Sequence, residues 1–369
     1  ANNRKLLEGA RKLGWQVDLI RRSVKGCARL GYCGMGCPLD AKQSALVTYI
    51  PDALAAGADV FTNVRASLVE TDRGRARGVV GQVLDPEPDR PVGRRFVIHA
   101  RMGVVLAAGA LNTPALLLRT HVGNGSGQLG RRTFLHPTVP LLAMYDEPIE
   151  GFYGAPQSVS CHQFADRGGR IGYFLEVPPT HPMLSAVAFP GFGAAHRSVM
   201  QRLAYAQSTI ALLVDGHHDD AGGRVTVERD GRVHINYPMT DALREAGVDA
   251  IKNMARAQLA AGAREVLTLH ETPLTIRREA DLAQVDAAPF GLNQHALFSA
   301  HQMGGCAMGE DPRSSVVDSR GRHHEFENLW ICDGSVFPTG LGVNPQLTIY
   351  ALARLFATQI AASNPRVVP

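Results

Sequence analysis

A chain of 369 residues can bury a large core in one to three domains. The formal charge of +4 is mild and scattered along the chain, which argues against a nucleic-acid-binding role. No run of about eighteen apolar residues occurs, so no membrane-spanning helix is expected.

The chain opens Ala1-Asn2-Asn3, with no Met and no signal peptide, and residues 4–15 read directly as an amphipathic helix. That pattern looks like an entry in mid-protein. It leaves localisation open, with the cytoplasm as the default expectation. A linker to residue 26 leads into a Gly-rich loop, 27–42, which carries Cys27, Cys33 and Cys37. The other cysteines, Cys161, Cys306 and Cys332, are isolated. So few in so long a chain do not make a disulfide scaffold. Residues 44–56 read as a turn and helix with Pro51 inside. Residues 60–69 and 78–84 alternate as strands, and 85–93 is a Pro-rich turn. Residues 95–99 and 103–107 are β-like, with 104–108 expected to be a fully buried strand. Gly109 ends it, and 113–120 is a short apolar helix.

From 139 to 240 the pattern changes to short strands, aromatics and Gly/Pro turns. Residues 224–228 and 232–236 flank Arg229-Asp230-Gly231 as a hairpin. Thr240 then caps a helix running to about residue 261. A last apolar helix covers 348–362. The fold class is therefore α/β (α+β), with an antiparallel region between two α/β ends. The expected domains are 1–138 and 299–369, forming a cofactor-binding part, and 139–298, a substrate domain.

The candidate chemistry lies near the C-terminus. His301 opens His301-Gln302-Met303-Gly304-Gly305-Cys306-Ala307-Met308-Gly309. A neutral imidazole is a suitable proton acceptor near pH 7 for an alcohol hydroxyl. Among fourteen histidines, however, a histidine satisfied inside a packed turn is the plainer reading. Asn344-Pro345 is at least a well-capped helix start. Its free N–H groups could also face negative charge, and the Asn carboxamide could bind a substrate oxygen. Asp333-Gly334 follows the strand-like 329–332. It reads either as a β-turn or as a point of close approach for a ribityl or phosphate group. The adjacent pairs His217-His218 and His323-His324 read as surface residues, and His136-Pro137 as structural, lining the cofactor site at most.

These blocks, with Val316-Val317-Asp318, Asn328-Leu329-Trp330 and Gly342-Val343-Asn344-Pro345, resemble the C-terminal signature of the glucose–methanol–choline (GMC) flavin oxidoreductases. They are nearest its cholesterol-oxidase-like and long-chain-alcohol-oxidase-like branch. Ala107-Ala108-Gly109-Ala110-Leu111-Asn112-Thr113-Pro114 is similar to the family's second signature, and residues 65–69 to the strand that meets the adenine. The resemblance implies an FAD/NAD(P)-binding-like domain with an inserted antiparallel-sheet substrate domain. It implies oxidation of an alcohol by hydride transfer to the N5 of FAD. His301 would be the base and Asn344 the group that positions the hydroxyl. Ala66, Gly109, Asp333, Gly334, Asn344 and Pro345 would lie against the cofactor.

The family opens with a strand, Gly-x-Gly-x-x-Gly and a helix, an ADP-binding segment with no counterpart in these residues. An alternative is therefore an inert or assembly-dependent chain that does not bind FAD unaided. A second alternative rests on Cys27, Cys33 and Cys37, whose spacing resembles the iron–sulfur loop of FAD-dependent sugar dehydrogenases; a loop of reduced thiols is the plainer reading. The expected partner is a small-molecule alcohol, with the electron acceptor open. Phe174, Leu175, Phe189, Phe192 and Phe290 suit an aliphatic or ring alcohol better than a sugar.

Overall fold

The computed structural model describes residues 2–87, 90–217 and 221–363. Contacts divide the chain into two units, each assembled from separate stretches.

The first unit comprises Ala1–Asp59, Pro137–Val214 and Met239–Phe298. Its centre is the strand Thr138–Met144, buried at every position, as expected for an apolar run covered on both faces. Ala206–Leu213 and Glu265–Thr268 flank it antiparallel. Tyr173–Glu176, Val159–Cys161, Val17–Leu19 and Thr275–Ile276 extend this into a seven-stranded antiparallel sheet. The helix Asp241–Ala260 packs on the sheet and against the helix Asn2–Lys12. Its start follows the sequence: the Thr240 hydroxyl accepts the N–H of Leu243 at 3.2 Å, satisfying one of the first-turn donors. The strand Val17–Leu19 falls where a linker was expected. At three residues, with only Val17 buried, it is too short to show alternation.

The second unit comprises Val60–His136, Asp215–Pro238 and Ser299–Pro369. It holds a three-stranded antiparallel sheet, Val64–Asp72, Arg75–Leu84 and Pro91–His99. It also holds a parallel pair, Val104–Leu106 with Leu329–Ile331. The predicted hairpin is present as Arg224–Val227 and Val233–Asn236. Leu106, Leu116, Leu117, Leu329, Ile331 and Phe356 form the main core with the helices Gly109–Thr120 and Gln346–Ser363.

Contacts group residues 1–59 with the antiparallel sheet and the 215–238 hairpin with the second unit. Three expectations need revision. The strand at 104–106 is not fully buried: Val105 is 47% exposed, because a sheet of two strands leaves one face open. The turn at 85–93 gives way to a strand at Pro91, while residues 88 and 89 lie outside those described. His323 is buried rather than on the surface, its Nε2 bonded to the Gly123 carbonyl at 3.1 Å; His218 lies outside the described residues.

Candidate active site

His301 is placed by strand register. Phe134 and Met303 exchange both backbone hydrogen bonds, at 2.8 and 2.9 Å, as a one-pair antiparallel bridge. Two residues on along each strand, His136 and His301 fall opposite one another on the same face. Their Nδ1 atoms are 3.0 Å apart. The Ser299 hydroxyl donates to the Leu135 carbonyl, and Gln302 Nε2 donates to the Ser299 carbonyl at 2.9 Å. These bonds fasten the approach to His301. Gly304 makes the turn possible: it has φ +79°, and a Cβ there would lie 1.8 Å from the Arg132 carbonyl oxygen.

His136 adopts φ +49°, a left-handed conformation that is uncommon outside glycine. The buried Asp215 carboxylate holds it there, accepting N–H bonds from Leu135 at 2.8 Å and His136 at 3.1 Å. The same carboxylate accepts the Tyr237 hydroxyl at 2.8 Å. Neither residue was assigned this place from sequence. His136 was read as structural, and Asp215 carried no signal, because its contact is made across long sequence separation.

Burial sets the protonation of the pair. It pushes His136 down to about 3, with the nearby His301 adding to the shift. It also lowers His301 below the ordinary histidine value of 6.5. Both rings are therefore neutral near pH 7. In the other unit His295 is held down to about 4, again by burial first and by His270 second. In these cases the unfolded chain binds protons that the folded chain refuses. Stability is full above about pH 6.5 and falls as pH drops toward the folded values of about 3 and about 4. At pH 5 each group should cost about 2 kcal/mol relative to neutral pH. Urea unfolding at pH 7 and pH 5 checks this, and equal midpoints would show that neither ring is kept neutral by the fold.

Asp333 ties the carboxyl ends of the two parallel strands together. Its Oδ2 accepts the Gly109 N–H at 2.9 Å and the Thr113 hydroxyl at 2.6 Å, and its Oδ1 accepts the Ser335 N–H at 2.8 Å. Ala107 and Ala108 are exposed there. Gly109 has φ +85°, and a Cβ on it would meet nothing within 4 Å. In open α/β sheets this carboxyl edge is where cofactors bind, and small residues let them approach the backbone. The residues present thus leave room for a cofactor to approach the backbone here. Ala66 is exposed at a bulge in the strand Val64–Asp72, opposite Gly81.

Pro345 is buried and Asn344 exposed, immediately before the helix Gln346–Ser363. The first helical bond runs from Ile349 N–H to the Pro345 carbonyl at 2.9 Å. A small core of Phe134, Met303 and Phe337 takes Ile349 and Leu352 against it. It therefore underlies the His136 strand, the His301 strand and the start of this helix together. Gly334 lies between them, its carbonyl accepting the Gly304 N–H at 3.0 Å. Its Cα faces the Gln302 carbonyl and Ile349.

Among the described residues no group of three or more His, Cys, Asp or Glu side chains could hold a metal ion. Cys33 Sγ instead accepts from Arg22 Nη2 at 3.1 Å, and Cys27 Sγ from the Arg29 N–H at 3.4 Å. Cys37 is turned toward the N–H groups of Leu39 and Lys42, which hold its thiol below its usual value. Each thiol has a partner near in sequence, and this geometry lends no support to the iron–sulfur expectation for Cys27, Cys33 and Cys37.

Parallel strands with small residues at their carboxyl ends, joined in sequence to an antiparallel unit, are features of α/β cofactor-binding enzymes. Comparison with known proteins narrows the class. Residues 1–138 and 219–353 match the GMC oxidoreductase family. The chain belongs to that family. It is 32% identical to an uncharacterised GMC-type oxidoreductase of Mycobacterium tuberculosis, covering 98% of this chain and 54% of the relative. It is 30% identical to a long-chain-alcohol oxidase of Arabidopsis thaliana, covering 98% of this chain and 50% of that one. Among solved structures, formate oxidase of Aspergillus oryzae superposes with TM-score 0.70 at 12% identity, over 99% of this chain and 70% of the other. Pyridoxine 4-oxidase of Mesorbium loti superposes with TM-score 0.63 at 19% identity, over 94% of this chain and 71% of the other. The chain spans about half the length of the curated relatives it matches. No helix among the described residues is long and apolar enough to cross a membrane.

Proposed function

We propose that this chain carries the substrate-side machinery of an FAD-dependent oxidoreductase acting on CH–OH groups. The observation that carries the reading is His301: a partly buried imidazole, kept neutral by burial, in the unit whose parallel strands lead into Gly109 and Asp333. His301 accepts the hydroxyl proton of the alcohol. Asn344 orients that hydroxyl through its carboxamide. Ala107, Ala108 and Gly109 leave room for the cofactor, with Asp333 and Gly334 bracing the turn. The N–H groups after Pro345 would face its electron-rich edge. Bound FAD supplies the hydride acceptor.

The substrate we favour is an apolar primary or secondary alcohol. Relatives named as a long-chain-alcohol oxidase and a 2-methyl-1,2-propanediol dehydrogenase support the alcohol class. The apolar residues expected to favour an aliphatic or ring alcohol add little. Phe174, Leu175, Phe189 and Phe290 are buried core, and Phe192 is 91% exposed.

Dependence on a further ADP-binding segment is supported by the lack of a strand–Gly-x-Gly-x-x-Gly–helix arrangement in these residues. The expected result is that the 369-residue chain mixed with FAD shows no bound-flavin absorbance. Supplying an ADP-binding segment from a family member should restore it. Anaerobic addition of primary alcohols of increasing chain length should then bleach the flavin. A loaded flavin that stays oxidised with all of them would remove the alcohol reading.

A further inference from the structure

The His136–His301 contact bears on which nitrogen of His301 is free to act. Two Nδ1 atoms 3.0 Å apart in neutral rings must share one proton, since two protons or two lone pairs would repel. One ring therefore carries its proton on Nδ1 and the other on Nε2. With Nδ1 of His301 committed to His136, its Nε2 is the atom left to face a substrate. That nitrogen can accept a proton only if His301 holds its own proton on Nδ1. An unconstrained neutral histidine favours the opposite tautomer, so the arrangement needs a partner that accepts from Nδ1.

We propose that His136 is the positioning residue that fixes His301 in its Nδ1–H tautomer, leaving Nε2 bare as the proton acceptor; this rests on the reading of His301 as the base. His136 accepts at Nδ1 and carries its own proton on Nε2. As the alcohol hydroxyl proton passes to Nε2 of His301, the resulting cation keeps its Nδ1–H directed at the lone pair of a neutral ring. His136 does not compete for that proton, because it is almost fully buried, at 1% exposure, and resists charging. Its aim is set from behind. Asp215 accepts the N–H groups of Leu135 and His136 and keeps His136 in its left-handed backbone conformation. The reciprocal bridge between Phe134 and Met303 fixes the spacing of the two strands. Burial, register and a carboxylate anchor thus converge on one ring orientation.

The tautomers can be read in the chain itself. Long-range proton–nitrogen spectra of protein labelled at histidine separate a protonated ring nitrogen from a bare one. The His301 and His136 signals are assigned by their loss in His301→Gln and His136→Asn. The expected result is a protonated Nδ1 on His301 and a protonated Nε2 on His136. A protonated Nε2 on His301 overturns the proposal, and the tautomer itself is read on the unaltered chain. In His136→Phe, which has no acceptor, the His301 tautomer should reverse. In His136→Asn, whose side-chain carbonyl can accept from Nδ1, it should hold. An unchanged His301 tautomer in His136→Phe also overturns the proposal. In flavin-loaded protein, His136→Phe should slow flavin reduction by about tenfold or more, as a base in the wrong tautomer does, and His136→Asn should recover most of that rate. The two ideas fail separately. An unaffected rate in His301→Ala would end the assignment of the base while leaving the tautomer result intact. The opposite tautomer together with a slow His301→Ala would end only the role of His136.

Discussion

Replacing His301 with alanine in a flavin-loaded assembly is expected to slow flavin reduction by alcohol at least about a hundredfold, the usual scale for a lost general base. A hundredfold corresponds to about 2.7 kcal/mol of barrier. The effect should appear in the reduction step and leave flavin content unchanged, because His301 bonds to His136 and not to the Asp333 turn proposed to border the cofactor. The unaltered protein should show the matching pH dependence. Only the neutral imidazole accepts a proton, and burial lowers its pKa below 6.5. The rate should therefore hold flat through neutral pH and fall on the acid side, below the ordinary histidine range. Stopped-flow absorbance under anaerobic conditions measures both. Full-speed reduction in the alanine variant would place the base on another residue.

Asp333→Ala should produce the largest loss of stability among single changes at the site. One carboxylate accepts from Gly109, Thr113 and Ser335, and Thr113 is fully buried. Its removal leaves these donors without their partner, at about 1–3 kcal/mol for each buried group. A total of about 3–5 kcal/mol is expected, since part of the loss relaxes by solvation at the exposed turn. The loss should fall on the second unit, where all four residues lie. Asp333→Asn retains one acceptor oxygen and should cost roughly half as much. Denaturant unfolding followed by the Trp330 fluorescence of that unit reads the change, and an unshifted midpoint would mean that the turn holds without the carboxylate.

Much of this arrangement could be read before any coordinates. Thr240 announced the helix Asp241–Ala260, because an N-cap acts within one turn of chain. Arg229-Asp230-Gly231 announced the hairpin, because turn chemistry is local. The Gly304-Gly305 step signalled a turn that only glycine fits, and the backbone of Arg132 supplies the reason. The interrupted strand at 104–106 was misread because an apolar run does not reveal how many strands will cover it. The cysteine loop stayed open between two readings for a similar cause. Spacing gives the number of thiols, whereas their directions depend on Arg22, Arg29 and the N–H groups of Leu39 and Lys42.

Residue types and spacings pointed to the α/β class, to an antiparallel region between its ends, and to His301, Asn344 and Asp333 as the groups worth watching; Gly109 was added by the resemblance to a family signature. Those are properties of short stretches, governed by local backbone preference and by the chemistry a side chain carries. The partner of His301 was decided by the fold. His136 reaches it only through the register of Phe134 with Met303, and its angle only through Asp215. Such contacts depend on which distant strands pair and in what register, and pairing is settled by the burial of the whole unit rather than by any neighbouring residue.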